Sequence, residues 1–383
     1  MYKRKNRLFI VLISCSIFIL NACSTSEKGI TETEKPFEKT NDFLVDHYAT
    51  NETLALYNNL KIVTQNAVLF GHQDDTAYGV GWNTVLGRSD VKEVCGDYPA
   101  VYGWDLGDIG NKSNLDGVNF ENMKRWIREA YSRGGINTIS MHLDNPVTGN
   151  NAWDNSPAVA AILPGGSHHN NYISTLKNVA DFMKDIKTSN GENIPILFRP
   201  YHEHNQTWSW WGKSACTSDE YNQLWQMTVE YLRDTMEVHN LLYIISPQDL
   251  SDQFDYFERY PGDDYVDIFG LDYYQLTNPA SITKLGKSLD IIASLAESRG
   301  KISALTEVGN EKLTIDNWYT DYLLKALMYN ENSKKTAWCL AWRNSNSSHY
   351  FVPYPGEKSV MNFVQFYNDP FTIFENDLPD MYK

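Results

Sequence analysis

The sequence has 383 residues, which is enough for a large buried core and, by length alone, for one or two domains. Its formal net charge is −15, and it becomes −19 once residues 1–22, which carry four positive and no negative side chains, are removed. So acidic a chain argues against nucleic acid and anionic polymers as partners, whereas a neutral polymer is compatible with it. Aromatic residues make up 13% of the chain, and exposed aromatic rings suit the flat, weakly polar faces of sugars.

The first segment of the chain is predicted to be an export signal. Four basic side chains precede an almost unbroken apolar run at residues 8–20, which is too short to span a bilayer as a mature helix. The Leu-Asn-Ala-Cys sequence at residues 20–23 resembles a lipobox, in which Cys23 is acylated and becomes the first residue of the mature chain. An ordinary signal peptide with an incidental cysteine is the alternative.

These features predict three regions: a lipoprotein signal peptide at residues 1–22, a flexible tether at 23–45 and a folded domain at 46–383. Residues 24–39 are rich in Ser, Thr, Glu and Lys, as is typical of a disordered tether. Ser24 after the lipidated cysteine fits delivery to the outer membrane of a Gram-negative cell. The absence of a strong acidic run behind it favours the periplasmic face over the cell surface, and we expect membrane contact only through the lipid anchor.

Three cysteines remain when the signal peptide is removed and Cys23 is lipidated, namely Cys95, Cys216 and Cys339. Their number is odd and their spacing contains no CxxC pair. The sequence therefore indicates neither a disulfide framework nor a zinc site.

The body of the chain alternates short apolar runs with longer stretches of helical spacing. The runs lie at residues 67–70, 100–103, 136–141, 194–198, 241–245, 266–271, 302–305 and 336–341. Between them, residues 172–186 and 221–232 repeat apolar or aromatic side chains at intervals of three and four, a capped start at 217–220 precedes the second stretch, and a Gly pair at 134–135 closes an earlier helix. Long loops such as residues 145–169 interrupt this alternation.

Eight apolar strands separated by helices predict a parallel sheet closed into a (β/α)8 TIM barrel, with a single catalytic domain. A doubly wound open sheet is the alternative, but no GxGxxG or phosphate loop follows the first run. A barrel places its functional groups just beyond the carboxyl ends of its strands. Polar and aromatic side chains do follow every predicted strand, at residues 71–74, 104–105, 142–145, 199–203, 246–249, 272–274, 307 and 342–344.

Two carboxylates follow strands that lie nearly across this barrel from each other. Glu203 lies just past the fourth run and Glu307 just past the seventh, so their side chains are expected to converge over the barrel mouth. Retaining glycoside hydrolysis needs such a pair about 5–5.5 Å apart, one as acid/base with a raised pKa and one as an ionised nucleophile. His202, His142 and Tyr274 are candidates to tune the pair. A structural salt bridge, for example with Arg199, is the alternative for either glutamate alone.

The loop after Glu203 carries Trp208, Trp210 and Trp211, and we expect this large apolar surface to stack on pyranose rings. Packing beneath the loop is the alternative for some of these rings. His202 and His204 flank Glu203 and, on a strand, would point the same way as metal ligands do. The later strands end without further histidines and HExxH is absent, so we expect no catalytic metal. The His168-His169 pair is expected to be solvated or loop-stabilising.

Several stretches together make the chain resemble glycoside hydrolase family 26, a β-mannanase family of the retaining barrel clan A. These are GHQDD at 71–75, SMHLDNP at 140–146, LPGGSHHNNY at 163–172, FRPYHEHNQTWSWWG at 198–212, YPGDDYVDIFGLDYY at 260–274, LTEVG at 305–309 and WCLAWRN with HYFVPYPG between 338 and 356. They run from about residue 50 nearly to the end of the chain. The PYHE and WWG combination is specific, whereas LTEVG alone is weak.

The resemblance implies that Glu203 is the acid/base and Glu307 the nucleophile, with Tyr274 hydrogen-bonding the nucleophile. His142 and His202 would line the cleavage subsite beside it. Other implied sugar contacts are Trp208 beside the scissile bond, Trp342 and Arg343 in the adjacent glycone wall, and Trp153 and His349 in loops that match less closely. Ser209 stands where the family often has Phe, which affects the expected packing of the subsite but not the glutamates.

The expected substrate is therefore mannan, galactomannan or glucomannan, cleaved by double displacement, by a monomeric enzyme without a cofactor. The same fold and mechanism acting on mixed-linkage β-glucan or β-1,3-xylan is one alternative. A non-catalytic glycan-capture lipoprotein and a metal-dependent deacetylase or hydrolase are two others. The sequence leaves endo and exo cleavage, including release of mannobiose from chain ends, both open.

Overall fold

A computed structural model describes residues 41–383, and its centre is a closed barrel of eight parallel strands. The strands are β1 (Val68–Gln73), β2 (Val101–Asp105), β3 (Ile136–Ser140), β4 (Ile196–Arg199), β5 (Leu241–Ile245), β6 (Ile268–Tyr273), β7 (Ile302–Val308) and β8 (Thr336–Ala341). Each strand pairs with the next, and β1 also pairs with β8, which closes the barrel. All eight predicted strands are present, so the barrel prediction is confirmed and the open-sheet alternative is wrong.

Helices surround the barrel. They are α1 (Asn51–Val63), α2 (Asp90–Cys95), α3 (Phe120–Ser132), α4 (Val159–Ile162), α5 (His169–Asp185), α6 (Ser218–Glu230), α7 (Gln253–Phe257), α8 (Pro279–Glu297), α9 (Leu324–Leu327) and α10 (Val360–Tyr367). Thr217 caps α6 in a reciprocal arrangement with Glu220, as the sequence predicts. Gly134, with φ of 95°, lies in the left-handed turn after α3. The long loop between β3 and α5 contains the short helix α4.

Alternation along the strands separates two apolar layers. Leu69 faces the barrel interior together with Val101 and Leu197, whereas Phe70 faces outward against aromatic rings such as that of Phe363. Helix α1 buries its apolar face in the interior layer and so closes the amino-terminal end of the barrel. At roughly 1.5–3 kcal/mol for each large apolar side chain removed from water, these layers hold the strand ends rigidly in place. The open end of the barrel, where the strands finish, is thus left for the site.

The folded domain begins earlier than residue 46. Asn41, Leu44 and Val45 are buried, and the backbone N–H of Val45 donates to Asp267 Oδ1 at 2.8 Å. All three lie in the segment predicted to be the end of the tether, but Leu44 packs into the interior apolar layer and Val45 into the outer one. The signal peptide, Cys23 and the rest of the tether lie outside the described residues. Within residues 41–383, no helix has both the length and the apolar character needed to cross a membrane.

Candidate active site

Glu203 and Glu307 meet over the open end of the barrel. Glu307 lies on β7 and Glu203 in the turn after β4, and a carboxylate oxygen of one lies within 4.8 Å of a carboxylate oxygen of the other. This separation is close to the roughly 5–5.5 Å of retaining glycosidases and too short for the wider gap of roughly 6.5–9.5 Å that inverting enzymes need for a water. The two side chains can therefore act on the same sugar ring.

The backbone after β4 turns sharply to present Glu203. Tyr201 and Glu203 both adopt positive φ, 47° and 54°, in the left-handed region that residues other than glycine rarely occupy. The Glu203 N–H donates to the carbonyl of Ser246 at 2.7 Å, which ties this turn to the end of β5. As a result Arg199 is buried at the top of β4 while Glu203, four residues later, is part-exposed above it.

Buried donors surround Glu307. The Arg199 guanidinium hydrogen-bonds Glu307 Oε1, and the Tyr274 hydroxyl donates to Oε2 at 2.7 Å. Arg199 also donates to Asp272 Oδ2 at 2.9 Å and to Ser246 at 3.1 Å, so one buried cation pairs with two carboxylates. Burial raises the pKa of Tyr274 well above its ordinary value, so its hydroxyl stays protonated and donates. Both oxygens of Glu307 are thereby held in a fixed orientation.

Glu203 lies in a different environment although it is so close. Trp208 contacts the Glu203 carboxyl group, and its indole N–H donates to Oε2 at 2.9 Å. Burial, followed by the charge of Glu307, raises the pKa of Glu203 from 4.5 to about 7. Glu203 is therefore still protonated in about half of the molecules at neutral pH and can donate that proton, whereas Glu307 has a cation beside it.

A chain of polar side chains leads from β2 to Glu307. His142 Nδ1 lies 2.7 Å from Asp105 Oδ2, and His142 Nε2 lies 3.0 Å from Nε2 of His202. The same His202 nitrogen faces Glu307 Oε1 at 3.8 Å. Burial and the neighbouring Arg199 hold the pKa of His202 well below its ordinary value, so that ring is neutral. The sequence reasoning placed Asp105 only among the residues that end strands.

The three tryptophans after Glu203 do not form one exposed surface. Trp208 is 37% exposed, but Trp210 and Trp211 are buried. The Trp210 N–H donates to the carbonyl of Leu143 and the Trp211 N–H to that of His202, both within hydrogen-bonding distance at 2.8 and 2.7 Å. Because the N–H groups of both indoles are hydrogen-bonded to buried carbonyls, these rings support the site from beneath. Of the three tryptophans, only Trp208 is exposed enough to stack on a sugar.

Other predicted sugar contacts cluster around His142. Trp153 is half exposed, and its ring is stacked on the imidazole with centroids 5.4 Å apart; Trp342 meets the same ring edge-on at 6.0 Å. His349 is more remote. Its ring packs against Phe351, which in turn packs against Tyr274, and its Nδ1 lies 2.9 Å from Glu311.

Arg343 borders a cavity of about 470 Å³ beside the cleft. Its guanidinium pairs with Asp116 at 2.8 Å and donates to the Tyr78 hydroxyl at 3.3 Å. Burial and the charge of Asp116 raise the pKa of Asp74, which accepts a hydrogen bond from Tyr78, to about 8. Sequence reasoning missed Tyr78, Trp82 and Asp116 here, although Tyr78 follows the GHQDD stretch by only three residues.

A larger cavity, of about 670 Å³, lies at the opposite end of the barrel. It is lined by Lys61, Lys301, Lys334 and Lys335 together with Glu297 and Glu331, and Lys335 pairs with Glu297 at 2.8 Å. It contains neither of the two central glutamates. The chemistry therefore belongs to the carboxyl-terminal end of the strands.

Among residues 41–383, one cluster of three carboxylates is compact enough to bind a shared cation. It consists of Glu203, Asp272 and Glu307. Arg199 already donates to Asp272 and Glu307, so a guanidinium lies beside these two carboxylates. His202 and His204 do not both point at this group: Nε2 of His202 lies 3.8 Å from Glu307 Oε1, whereas His204 lies against Tyr221. His202 faces His142, and His204 packs on the ring of Tyr221 at 4.6 Å, because the left-handed backbone at Glu203 breaks strand alternation.

Comparison with known proteins gives consistent matches. Residues 45–376 match the family described as Glycosyl hydrolase family 26. A mannan endo-1,4-β-mannosidase of Bifidobacterium adolescentis is 36% identical over 321 residues, or 78% of this chain, but the chain spans only 32% of that relative's length. The structure of a GH26 β-mannanase from Bacteroides ovatus is 42% identical with a TM-score of 0.84, covering 87% of this chain and 98% of that one. An endo-β-1,4-mannanase from Cellulomonas fimi is 36% identical, also with a TM-score of 0.84, covering 88% and 79% respectively.

Proposed function

The chain belongs to glycoside hydrolase family 26, and on that premise we propose that it hydrolyses β-1,4-mannosidic bonds in mannan, galactomannan or glucomannan with retention of configuration. The observation that carries this proposal is the pair Glu203 and Glu307, within 4.8 Å of each other but in opposite electrostatic surroundings. The names of the relatives from Bifidobacterium adolescentis and Bacteroides ovatus, each a mannan-cleaving enzyme, support the choice of substrate.

In the first step Glu307 is the nucleophile. One of its carboxylate oxygens forms a bond to the anomeric carbon, the bond from that carbon to the glycosidic oxygen breaks, and the Glu203 proton passes to the departing oxygen. Arg199 and Tyr274 hold Glu307 for in-line attack, and their hydrogen bonds stabilise its negative charge before the new bond forms. The proton held by Glu203 at neutral pH is the one that the departing oxygen needs.

In the second step Glu203, now ionised, acts as the base. It takes a proton from a water molecule, the water oxygen bonds to the anomeric carbon, and the bond to Glu307 breaks. The two carboxylates are thereby returned to their starting states. The double displacement leaves the configuration at the anomeric carbon unchanged.

The surrounding side chains form the sugar-binding surface in this proposal. His142 and His202 line the cleavage subsite, and Trp208 stacks beside the scissile bond while it orients Glu203 through its N–H. Trp342 and Arg343 form the glycone wall. Trp153 extends the surface from the other side of His142, and His349 lies at the periphery.

The test is hydrolysis of mannan, galactomannan and glucomannan beside mixed-linkage β-glucan and β-1,3-xylan, with the product anomer followed by proton NMR. We expect mannan cleavage with the β-anomer appearing first. Glu203→Ala and Glu307→Ala should each lose activity on the order of 10²–10⁴-fold or more while still binding oligosaccharide. Activity on glucan or xylan alone would contradict the substrate, and wild-type binding without cleavage would favour glycan capture.

Two further measurements separate the remaining alternatives. Activity that a chelator abolishes would support a metal-dependent hydrolase instead. A time course on mannohexaose distinguishes the two modes of cleavage, because a single dominant disaccharide from the outset indicates exo action and a mixed ladder of products indicates endo action. We also infer a monomer, which light scattering after size-exclusion chromatography tests.

We propose further that Cys23 is lipidated and that the protein is held at the periplasmic face of the outer membrane. The support is the basic start, the apolar run at residues 8–20 and the lipobox-like residues 20–23. Cys23→Ala should release the protein into the soluble fraction and abolish incorporation of a labelled fatty acid. Degradation of the protein when intact cells are treated with protease would instead place it at the cell surface.

A further inference from the structure

The side chain of Asp105 is buried at the end of β2 and saturated with hydrogen bonds. Its Oδ1 accepts from the backbone N–H of Gly107 at 2.7 Å and of His142 at 3.1 Å. Its Oδ2 accepts from the Ser140 hydroxyl at 2.6 Å and lies 2.7 Å from His142 Nδ1. The two backbone donors fix the plane of the carboxylate, so the direction in which Oδ2 meets the imidazole is fixed as well.

This geometry determines where the proton of His142 sits. An ionised carboxylate accepts hydrogen bonds and cannot donate them, so Nδ1 of His142 must carry a hydrogen. In the neutral ring, Nε2 of His142 is then an acceptor. It lies 3.0 Å from Nε2 of His202, and two facing nitrogens share a hydrogen bond only if one of them is protonated.

While the ring of His142 is neutral, the proton of His202 must then be on its Nε2. Although burial opposes the charged ring, Asp105 raises the pKa of His142, so this state belongs to the pH range above that pKa. In that state its Nε2–H donates to His142 and also faces Glu307 Oε1 at 3.8 Å. Its Nδ1 is buried without a hydrogen-bond partner among residues 41–383. A bare lone pair at such a position costs less than an N–H group would, because orphaned buried donors are the rarer and less tolerated case.

We propose that Asp105 is a positioning residue that fixes which ring nitrogens of His142 and His202 carry a proton. Asp105 on β2 orients His142, His142 orients His202, and the N–H of His202 is thereby directed towards Glu307 on β7. Its effect on turnover rests on the proposed function, in which Glu307 is the nucleophile. The tautomers themselves exist with or without substrate.

Asp105→Asn is the informative variant. Because the two backbone N–H groups require an oxygen at the Oδ1 position, the new amide must place its NH₂ towards His142 Nδ1. His142 then accepts at Nδ1 and moves its proton to Nε2, and His202 moves its proton to Nδ1. We expect kcat/KM to fall roughly 10- to 100-fold, less than the ~10⁴-fold of an Asp→Asn change in a serine-protease triad, because neither histidine transfers the reacting proton.

Ser140→Ala is the matched control. It removes another donor to the same Oδ2 but leaves the carboxylate as an acceptor for His142. Long-range ¹H–¹⁵N correlation spectra of histidine-labelled protein distinguish protonated from bare ring nitrogens. We expect protons on His142 Nδ1 and His202 Nε2 in the wild type and in Ser140→Ala, and on the opposite nitrogens in Asp105→Asn.

The wild-type spectrum decides the matter even if Asp105→Asn does not fold, because a proton on His142 Nε2 alone would overturn the proposal. So would wild-type tautomers in a folded Asp105→Asn, or a kcat/KM for that variant within about twofold of the wild-type value. A wild-type protein that shows the expected tautomers but cleaves no mannan would refute the proposed function and leave the inference about Asp105 intact.

Discussion

Replacing each of the two central glutamates by glutamine should change stability in opposite directions. Burial and the charge of Glu307 raise the pKa of Glu203 to about 7, so the folded protein holds this proton more tightly than the unfolded chain does. The stabilisation is complete below the ordinary pKa of 4.5 and is lost as the pH rises through about 7. Glutamine does not ionise, so Glu203→Gln should be more stable than the wild type above that range and about equal to it below.

The size of the effect follows from the pKa. A rise from 4.5 to about 7 corresponds to at most about 3.4 kcal/mol, at about 1.36 kcal/mol per pKa unit. Because Glu203 is part-exposed, solvent screening reduces this, and we expect about 1–2 kcal/mol. In a domain of this size that is a rise in Tm of roughly 1.5–3 °C.

Glu307→Gln is the contrasting variant. It removes one of the two carboxylates that pair with the buried guanidinium of Arg199, and Asp272 remains as a partner, so we expect the free energy of unfolding to fall by about 1.5–3 kcal/mol. Both variants should be inactive, which separates loss of activity from change in stability. The assay is thermal unfolding of the wild type and both variants at about pH 5 and about pH 8. A Glu203→Gln protein no more stable than the wild type at the higher pH would refute this account of the site.

Three further predictions concern activity. The wild-type kcat/KM should fall above about pH 7 as Glu203 loses its proton, which a pH profile on manno-oligosaccharides checks. Trp208→Phe keeps an aromatic ring but removes the N–H that lowers the pKa of Glu203, so the alkaline limb of that profile should move to higher pH; an unmoved limb would contradict the contact. Tyr274→Phe removes the 2.7 Å hydrogen bond to Glu307 and should lower kcat/KM by about 10- to 150-fold, the equivalent of about 1.5–3 kcal/mol for a bond to a charged group. Single-turnover measurements with an activated aryl glycoside should show that the loss affects the first step, in which Glu307 attacks the anomeric carbon.

The strands and the two glutamates were readable from the sequence for one physical reason. Barrel strands are buried on both faces, so they appear as short uninterrupted apolar runs, and the residues that follow them must lie at one end. Glu203 and Glu307 follow the fourth and seventh runs, and strand order alone puts them nearly across the barrel from each other. The resemblance to the family then assigns the acid/base role to Glu203 and the nucleophile role to Glu307.

The features that could not be predicted depend on single backbone angles or on distant partners. Strand alternation suggested that His202 and His204 point the same way, but the positive φ of Glu203 turns them apart. The burial of Trp210 and Trp211 depends on carbonyl acceptors that the tertiary fold brings to their N–H groups. Asp105 is an aspartate at a strand end, a pattern shared with ordinary caps, and its partners His142 and Ser140 lie on or just after the next strand.

The left-handed backbone at Glu203 has a consequence for making useful inactive forms of the enzyme. Alanine at this position would keep the steric penalty, on the order of 1 kcal/mol, that any Cβ carries at such a φ, whereas glycine would relieve it. Glycine would also open a space beside the sugar from which a small external anion reaches the anomeric carbon of the Glu307 adduct. A glycine variant supplied with azide and a sugar bearing a good leaving group would then join the two with the original configuration, turning a degradative catalyst into a synthetic one.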